Sequence, residues 1–238
     1  MPETSSDDPF ATRLQDQSVS FVRESCPDSK AMLVAFGGIK LGLGMPPFEF
    51  FRLARNISAH KLFFRDVHQA WYHRGLPGVA ERIDGIAEFL RREMVQSGAK
   101  RIAFFGTSMG GYAALLFGAL LQTGEVHAFA PQTFLSPWKR FRCGDGRWRR
   151  RIWKIYLSAD GRRYLDLRPP MRLAGQTQFH IYFSPEHRLD SVHARHLAGL
   201  PNVFLHDHVE GGHQLIKVLR DNGTLQQIIA RALTVPDE

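Results

Sequence analysis

Residues Arg101 to Leu121 read RIAFFGTSMGGYAALLFGALL, a strand-like apolar run that meets a helix-like one across only six residues, GTSMGG. That junction constrains the fold more tightly than any other stretch. A strand that turns straight into a helix must pack the helix back onto its own sheet, which is the geometry of an α/β layer. A turn alone needs no serine. Ser108 stands between Gly106 on one side and Gly110 and Gly111 on the other. Neighbours this small leave it uncovered, as a hydroxyl lifted out of a strained turn requires. The other reading is the glycine-rich turn of a nucleotide-binding fold, with Ser108 as an N-cap. Against it, the glycines lack the G-x-G-x-x-G spacing, and no acidic partner follows at the expected distance.

The same alternation runs along the chain. The apolar runs Met32 to Gly38, His60 to Asp66, Arg101 to Gly106, Glu125 to Pro131, Gln178 to Ser184 and Asn202 to Asp207 predict strands. Val79, Ile83, Ile86, Leu90 and Met94 fall at helical spacing between Gly78 and Gly98. Further helices are expected over Tyr112 to Leu121, roughly His213 to Arg220, and Thr224 to Leu233. The pattern predicts a single α/β domain of 238 residues: a mostly parallel central sheet with helices on both faces. Residues up to about 30 read as an N-terminal extension, and about 132–175 as a basic insert. In such sheets chemistry gathers at the carboxyl ends of the strands. Gly37-Gly38, Asp66, Ser108, Glu186 to Asp190 and His213 all fall there.

Gly106-Thr107-Ser108-Met109-Gly110 matches the G-x-S-x-G nucleophile elbow in its required context, strand before and helix after. On these residues and the order of elements, the chain from about Met32 to Leu233 resembles the α/β-hydrolase superfamily. The resemblance implies that fold, with the insert placed where a lid commonly sits, and a nucleophile, acid and histidine in that order. Ser108 is then the nucleophile. His213, in EGGHQL after the last strand, suits the base, since neutral imidazole accepts a proton near neutral pH. The acid is Asp190 or Glu186. Glu186 is nearer the strand end, and Asp190, just before SVHARHL, could instead cap a helix; Asp190 is chosen over Glu186. The oxyanion would be held by the Met109 N–H and by Gly38 or Ile39, although Phe36-Gly37-Gly38-Ile39 lacks the histidine of the family's HG motif. The implied activity is hydrolysis of a carboxylic ester or thioester through an acyl-enzyme, on a small-molecule or carrier-linked acyl substrate and without a cofactor. An acyltransferase would use the same residues. A hydrolase-like binding protein without turnover is the alternative of a different class.

The net charge of +8 is concentrated: between Lys139 and Lys154 eight cations face one acid, Asp145. Trp138, Phe141, Trp148, Trp153 and Tyr156 are interleaved with them. The segment reads as a solvated helical hairpin, as an electropositive rim for an anionic substrate or partner, or as a membrane-surface contact. No nucleic-acid-binding module accompanies it. His206 and His208 alternate on one strand, but no third ligand stands at a standard spacing, so no metal is expected. Cys26 and Cys143 are too few for a disulfide framework. No apolar run reaches membrane-spanning length, and MPETSSDDPFATR carries no secretory pattern. The expected location is cytoplasmic.

Overall fold

Six consecutive residues, Ala31–Phe36, are all buried, as a strand covered on both faces requires. In the computed structural model, which describes residues 16, 18–39, 50–157 and 162–235, this strand (β2) lies near the middle of a seven-stranded sheet. The others are Phe21–Glu24 (β1), His60–Phe64 (β3), Arg101–Thr107 (β4), Glu125–Phe129 (β5), Gln178–Phe183 (β6) and Val203–Asp207 (β7). Their spatial order is β1-β3-β2-β4-β5-β6-β7. Every pairing is parallel except β1 with β3. Residues 21–24, which the sequence reading leaves in an N-terminal extension, thus supply an antiparallel edge strand. Only four residues long, β1 gives a weak pattern for sequence reading to find.

The helices are Phe51–Ala54 (α1), Ile83–Ser97 (α2), Met109–Leu121 (α3), Pro137–Cys143 (α4), Arg149–Tyr156 (α5), Arg168–Leu173 (α6), Arg188–His196 (α7), Leu215–Asp221 (α8) and Thr224–Leu233 (α9). The two faces of the sheet are covered separately. Val34, Phe36 and Phe104 pack with Ile86 and Leu90 of α2 and Leu115 and Phe117 of α3. Leu33, Phe63 and Phe105 pack with Leu219 of α8 and Ile229 of α9. This is the two-faced α/β layering that the alternation predicts. Helix α3 is apolar almost all round and buried from Met109 to Ala119, so no amphipathic stripe marks it. Phe117 stacks on Phe36 at 5.3 Å between ring centres; truncating a buried phenylalanine costs about 3–5 kcal/mol.

Helix α2 begins at Ile83, later than its apolar spacing suggests, because Leu76 and Ala80 pair across a tight turn first. The insert between β5 and β6 holds α4, α5 and α6. It joins the core through Ile152, Ile155, Leu167 and Met171. Its two ends are tied where Leu135 and Ser136 N–H groups bond Leu165 O. Cys26 and Cys143 are free thiols. Among the described residues, no helix is long and apolar enough to cross a membrane.

Candidate active site

Ser108 follows the last residue of β4 with φ 53° and ψ −113°, a conformation costly for a residue with a side chain, about 1–3 kcal/mol. It occupies the N-cap position of α3, but its side chain makes no capping bond there. Backbone bonds hold the turn instead: Ser108 N–H to Phe129 O at 2.9 Å, and Tyr112 N–H back to Ser108 O at 3.0 Å. A Cβ on Gly106 would overlap the Gly110 carbonyl, and one on Gly110 would overlap the Phe36 carbonyl. The glycines therefore let the turn press on itself and on the end of β2. That contact sets the turn against the Phe36–Gly37 peptide, where β2 ends. Met109 opens α3, and its N–H has no acceptor among the described residues. It sits at the positive end of the helix dipole.

The hydrogen-bond partner of the Ser108 hydroxyl is a residue the sequence reading did not single out. Gln132, just past β5 and 2% exposed, donates from Nε2 to Ser108 Oγ at 3.3 Å. Its Oε1 accepts the indole N–H of Trp71 at 3.1 Å. An indole N–H can only donate, so this bond fixes which end of the amide faces the serine. Trp71 belongs to a loop of unusual backbone: Gln69, Trp71 and Tyr72 have φ of 48°, 52° and 63°. Buried Asp66 holds the loop, accepting the N–H groups of His68, Ala70 and Tyr72 at 2.9, 2.6 and 2.9 Å. Burial raises the Asp66 pKa against the pull of those three donors. Such strain persists where surrounding structure over-determines it, and functional sites are its usual address.

The third element is an ion network behind the last strands. His213 lies in a 3₁₀ turn, Gly212–Gln214, after β7. Its Nδ1 is 2.7 Å from Asp190 Oδ2. Asp190 is on the third residue of α7, whose N-cap is His187; His187 Nδ1 accepts the Asp190 N–H. Asp190 is therefore not the cap of that helix, and its buried carboxylate is available for His213. Arg147, from the loop between α4 and α5, donates from Nη1 to Asp190 Oδ1 at 2.9 Å and from Nε to Asp145 Oδ1 at 3.0 Å. Asp145 also meets His193 Nε2 at 3.0 Å, and the His193 Nδ1 accepts the Thr133 N–H. Burial alone would raise the Asp190 pKa; the bonds from His213 and Arg147 hold it below the ordinary carboxylate value. Asp145 is lowered likewise, by His193 and Arg147 acting against burial.

The structure thus seats the Ser108 turn, with Met109 opening α3, against the Phe36–Gly37 end of β2, where Gly38 and Ile39 are the next residues of the chain, and it pairs His213 with Asp190. Glu186 is exposed and makes no hydrogen bond or ion pair among the described residues; it lines a surface groove beside α4 and α7 instead. No hydrogen bond joins His213 to Ser108 among the described residues. His206 does not pair with His208: its Nε2 bonds His180 Nδ1 at 3.0 Å. Gln132, Trp71 and Arg147 carried no sequence signal for these roles. Gln132 follows the fourth predicted strand at the functional edge, and Trp71 lies in DVHQAWYH at another strand end. Position at the edge was the only clue. Arg147 was hidden inside a charge run.

No family model and no curated protein sequence matches the chain. Solved structures do. The chain is similar to the capsule O-acetyltransferase of Neisseria meningitidis serogroup A in complex with CoA, with a TM-score of 0.64 at 14% identity over 88% of this chain and 90% of that one. It is similar to a chain of the glycosylation-associated Gap123 complex from Streptococcus agalactiae, with a TM-score of 0.61 at 18% identity, over 90% of this chain and 44% of that one. A fluorophosphonate-binding serine hydrolase of Staphylococcus aureus gives a TM-score of 0.57 at 13% identity, over 87% and 84%. At such identities the likeness speaks for architecture, and with the sheet order and the turn at Ser108 it gives one conclusion: the chain has the α/β-hydrolase fold.

Proposed function

We propose that the protein is a serine hydrolase that cleaves a carboxylic ester or thioester through an acyl-enzyme on Ser108. The observation that carries this reading is the His213–Asp190 pair, held at 2.7 Å on the same sheet edge as a strained, glycine-flanked serine. With its Nδ1 turned to Asp190, His213 presents Nε2 as the base. It takes the Ser108 proton as Oγ attacks the acyl carbon. The Met109 N–H and the Gly38–Ile39 segment hold the oxyanion. Gln132 Nε2 steadies Oγ as negative charge develops on it. The carbon–oxygen or carbon–sulfur bond to the leaving group then breaks, and His213 returns its proton to that group. Water, deprotonated by His213, completes the cycle by releasing the acid.

Acyl transfer is the second reading, favoured by the likeness to an O-acetyltransferase in complex with CoA. It uses the same residues and differs only in the hydroxyl that takes the acyl group. Labelling with a fluorophosphonate probe tests both. Wild type should label, while Ser108→Ala and His213→Ala should not. A folded wild type that stays unlabelled would overturn the reading and favour a binding protein. For a labelled enzyme, release of free acid from an acyl thioester in water alone separates hydrolase from transferase.

A further inference from the structure

The eight cations from Lys139 to Lys154 divide into two sets. Lys139 pairs with Asp166, Arg140 and Arg147 meet Asp145, and Arg151 bonds Gln69. These face inward. Arg142, Arg149, Arg150 and Lys154 are exposed, and no carboxylate pairs with any of them among the described residues. The same two helices also hold large apolar side chains out of the fold. Trp138 is 64% exposed, Phe141 78%, Trp153 61% and Leu157, just past α5, 73%. They are not scattered. Trp138 stacks on Phe141 at 6.1 Å, and Phe141 and Trp153 line one groove of about 570 Å³ between α4 and α5. Helix α5 is anchored from behind, since Ile152 and Ile155 are buried in the main core. Its outer face thus carries Trp153 between Arg149, Arg150 and Lys154, lying flat against the body.

We propose that this outer face of the insert docks on an anionic membrane surface. Burial of protruding aromatic and aliphatic side chains at the headgroup boundary, flanked by cations that meet lipid phosphates, is how interfacial helices bind. A charged polymer would engage the cations equally well. Leu157 and the tips of Trp138, Phe141 and Trp153 would gain nothing from it comparable to lipid burial. An exposed apolar ridge together with four unpaired cations therefore selects the bilayer. The inference does not depend on Ser108 chemistry.

Co-sedimentation of the full chain with lipid vesicles tests it. Vesicles of phosphatidylcholine containing about 30 mol % phosphatidylglycerol should retain the protein, and phosphatidylcholine alone should not. Salt at about 0.5 M should release it, because the attraction is screened within a few ångströms. Arg149→Gln with Arg150→Gln should lower partitioning about twenty-fivefold, at about fivefold per cation. Phe141→Ala with Trp153→Ala should weaken it while leaving the preference for anionic lipid. Trp71 is buried and Trp148 half-buried, so a blue shift of tryptophan fluorescence on vesicles would report Trp138 and Trp153 entering the interface. Absence of binding to anionic vesicles at low salt, by a protein with unchanged circular dichroism, would overturn the proposal. So would binding insensitive to both pairs of substitutions, or retention by dextran sulfate beads without any vesicle binding.

Discussion

Replacing Gln132 by Met removes the amide from the serine while keeping the length of the side chain. The bond to Ser108 Oγ is long, 3.3 Å, and to a neutral hydroxyl such a bond is worth about 1 kcal/mol. In the proposed mechanism His213 draws the proton away and Oγ gains negative charge, and a bond to a charged acceptor is worth about 2–3 kcal/mol. Only that difference speeds the step. It amounts to about 1–2 kcal/mol, or roughly five- to thirtyfold in kcat, with KM little changed. The substitution has a structural effect as well, since the buried Trp71 indole loses the Oε1 it donates to, at 3.1 Å. An orphaned buried donor costs about 1–3 kcal/mol of stability. The two effects separate in the double variant Gln132→Met with Trp71→Phe, where neither partner is left unpaired. Its stability by urea denaturation should recover most of the loss, and its kcat on an acyl ester should stay low. Recovery of activity together with stability would refute the reasoning, leaving Gln132 a packing residue. So would a single variant that keeps kcat within about threefold of wild type.

Two further outcomes concern the acid beside His213 and, apart from it, His73, a histidine buried against the Tyr112 hydroxyl. Asp190→Asn should lower kcat by about 10³–10⁴, through loss of the His213 tautomer, whereas Glu186→Gln should leave it within about twofold, as steady-state kinetics of the pair will show. Burial holds His73 neutral, with its pKa lowered from 6.5 to about 4, so the unfolded chain takes up a proton that the native one resists. Stability from this group is complete above pH 6.5 and drains away as the pH falls toward 4, by up to about 3 kcal/mol. Urea denaturation from pH 7.5 to 4 should show less slope in His73→Asn.

Legibility in the sequence followed the distance over which each feature is determined. The turn at Ser108 was readable because its cause is local. Gly106 and Gly110 must lack side chains to clear the Gly110 and Phe36 carbonyls, and that need is written in five consecutive residues. The parallel sheet was readable because strands buried on both faces are apolar throughout, as in Ala31–Phe36. Asp190 was a choice between two acids, and what separates them is three-dimensional. Helix α7 begins at Arg188, which turns Asp190 inward toward His213 and leaves Glu186 before the helix, in solvent. Gln132 and Trp71 are 61 residues apart and have meaning only together. Neither belongs to a motif, and each alone is an ordinary residue after a strand.

The basic run shows the same limit from the other side, because composition sums charges that the fold employs for opposite ends. Asp145 and Asp190 are buried carboxylates, and two such groups near each other would repel unless a cation entered with them. Arg147 is that cation, with Nη1 on one acid and Nε on the other. His193 and His213 complete the set from α7 and the turn after β7. Counted by charge, the arginine belongs to the electropositive segment; counted by contact, it belongs to the acid bonded to His213. Lys139 and Arg140 likewise answer acids of the insert itself. What is left over, Arg142, Arg149, Arg150 and Lys154, has no acid to answer among the described residues, and it stands beside apolar side chains that have no core to enter. A charge that no folding requirement explains, next to a hydrophobic surface that folding would have buried, is where a partner outside the chain has to be sought.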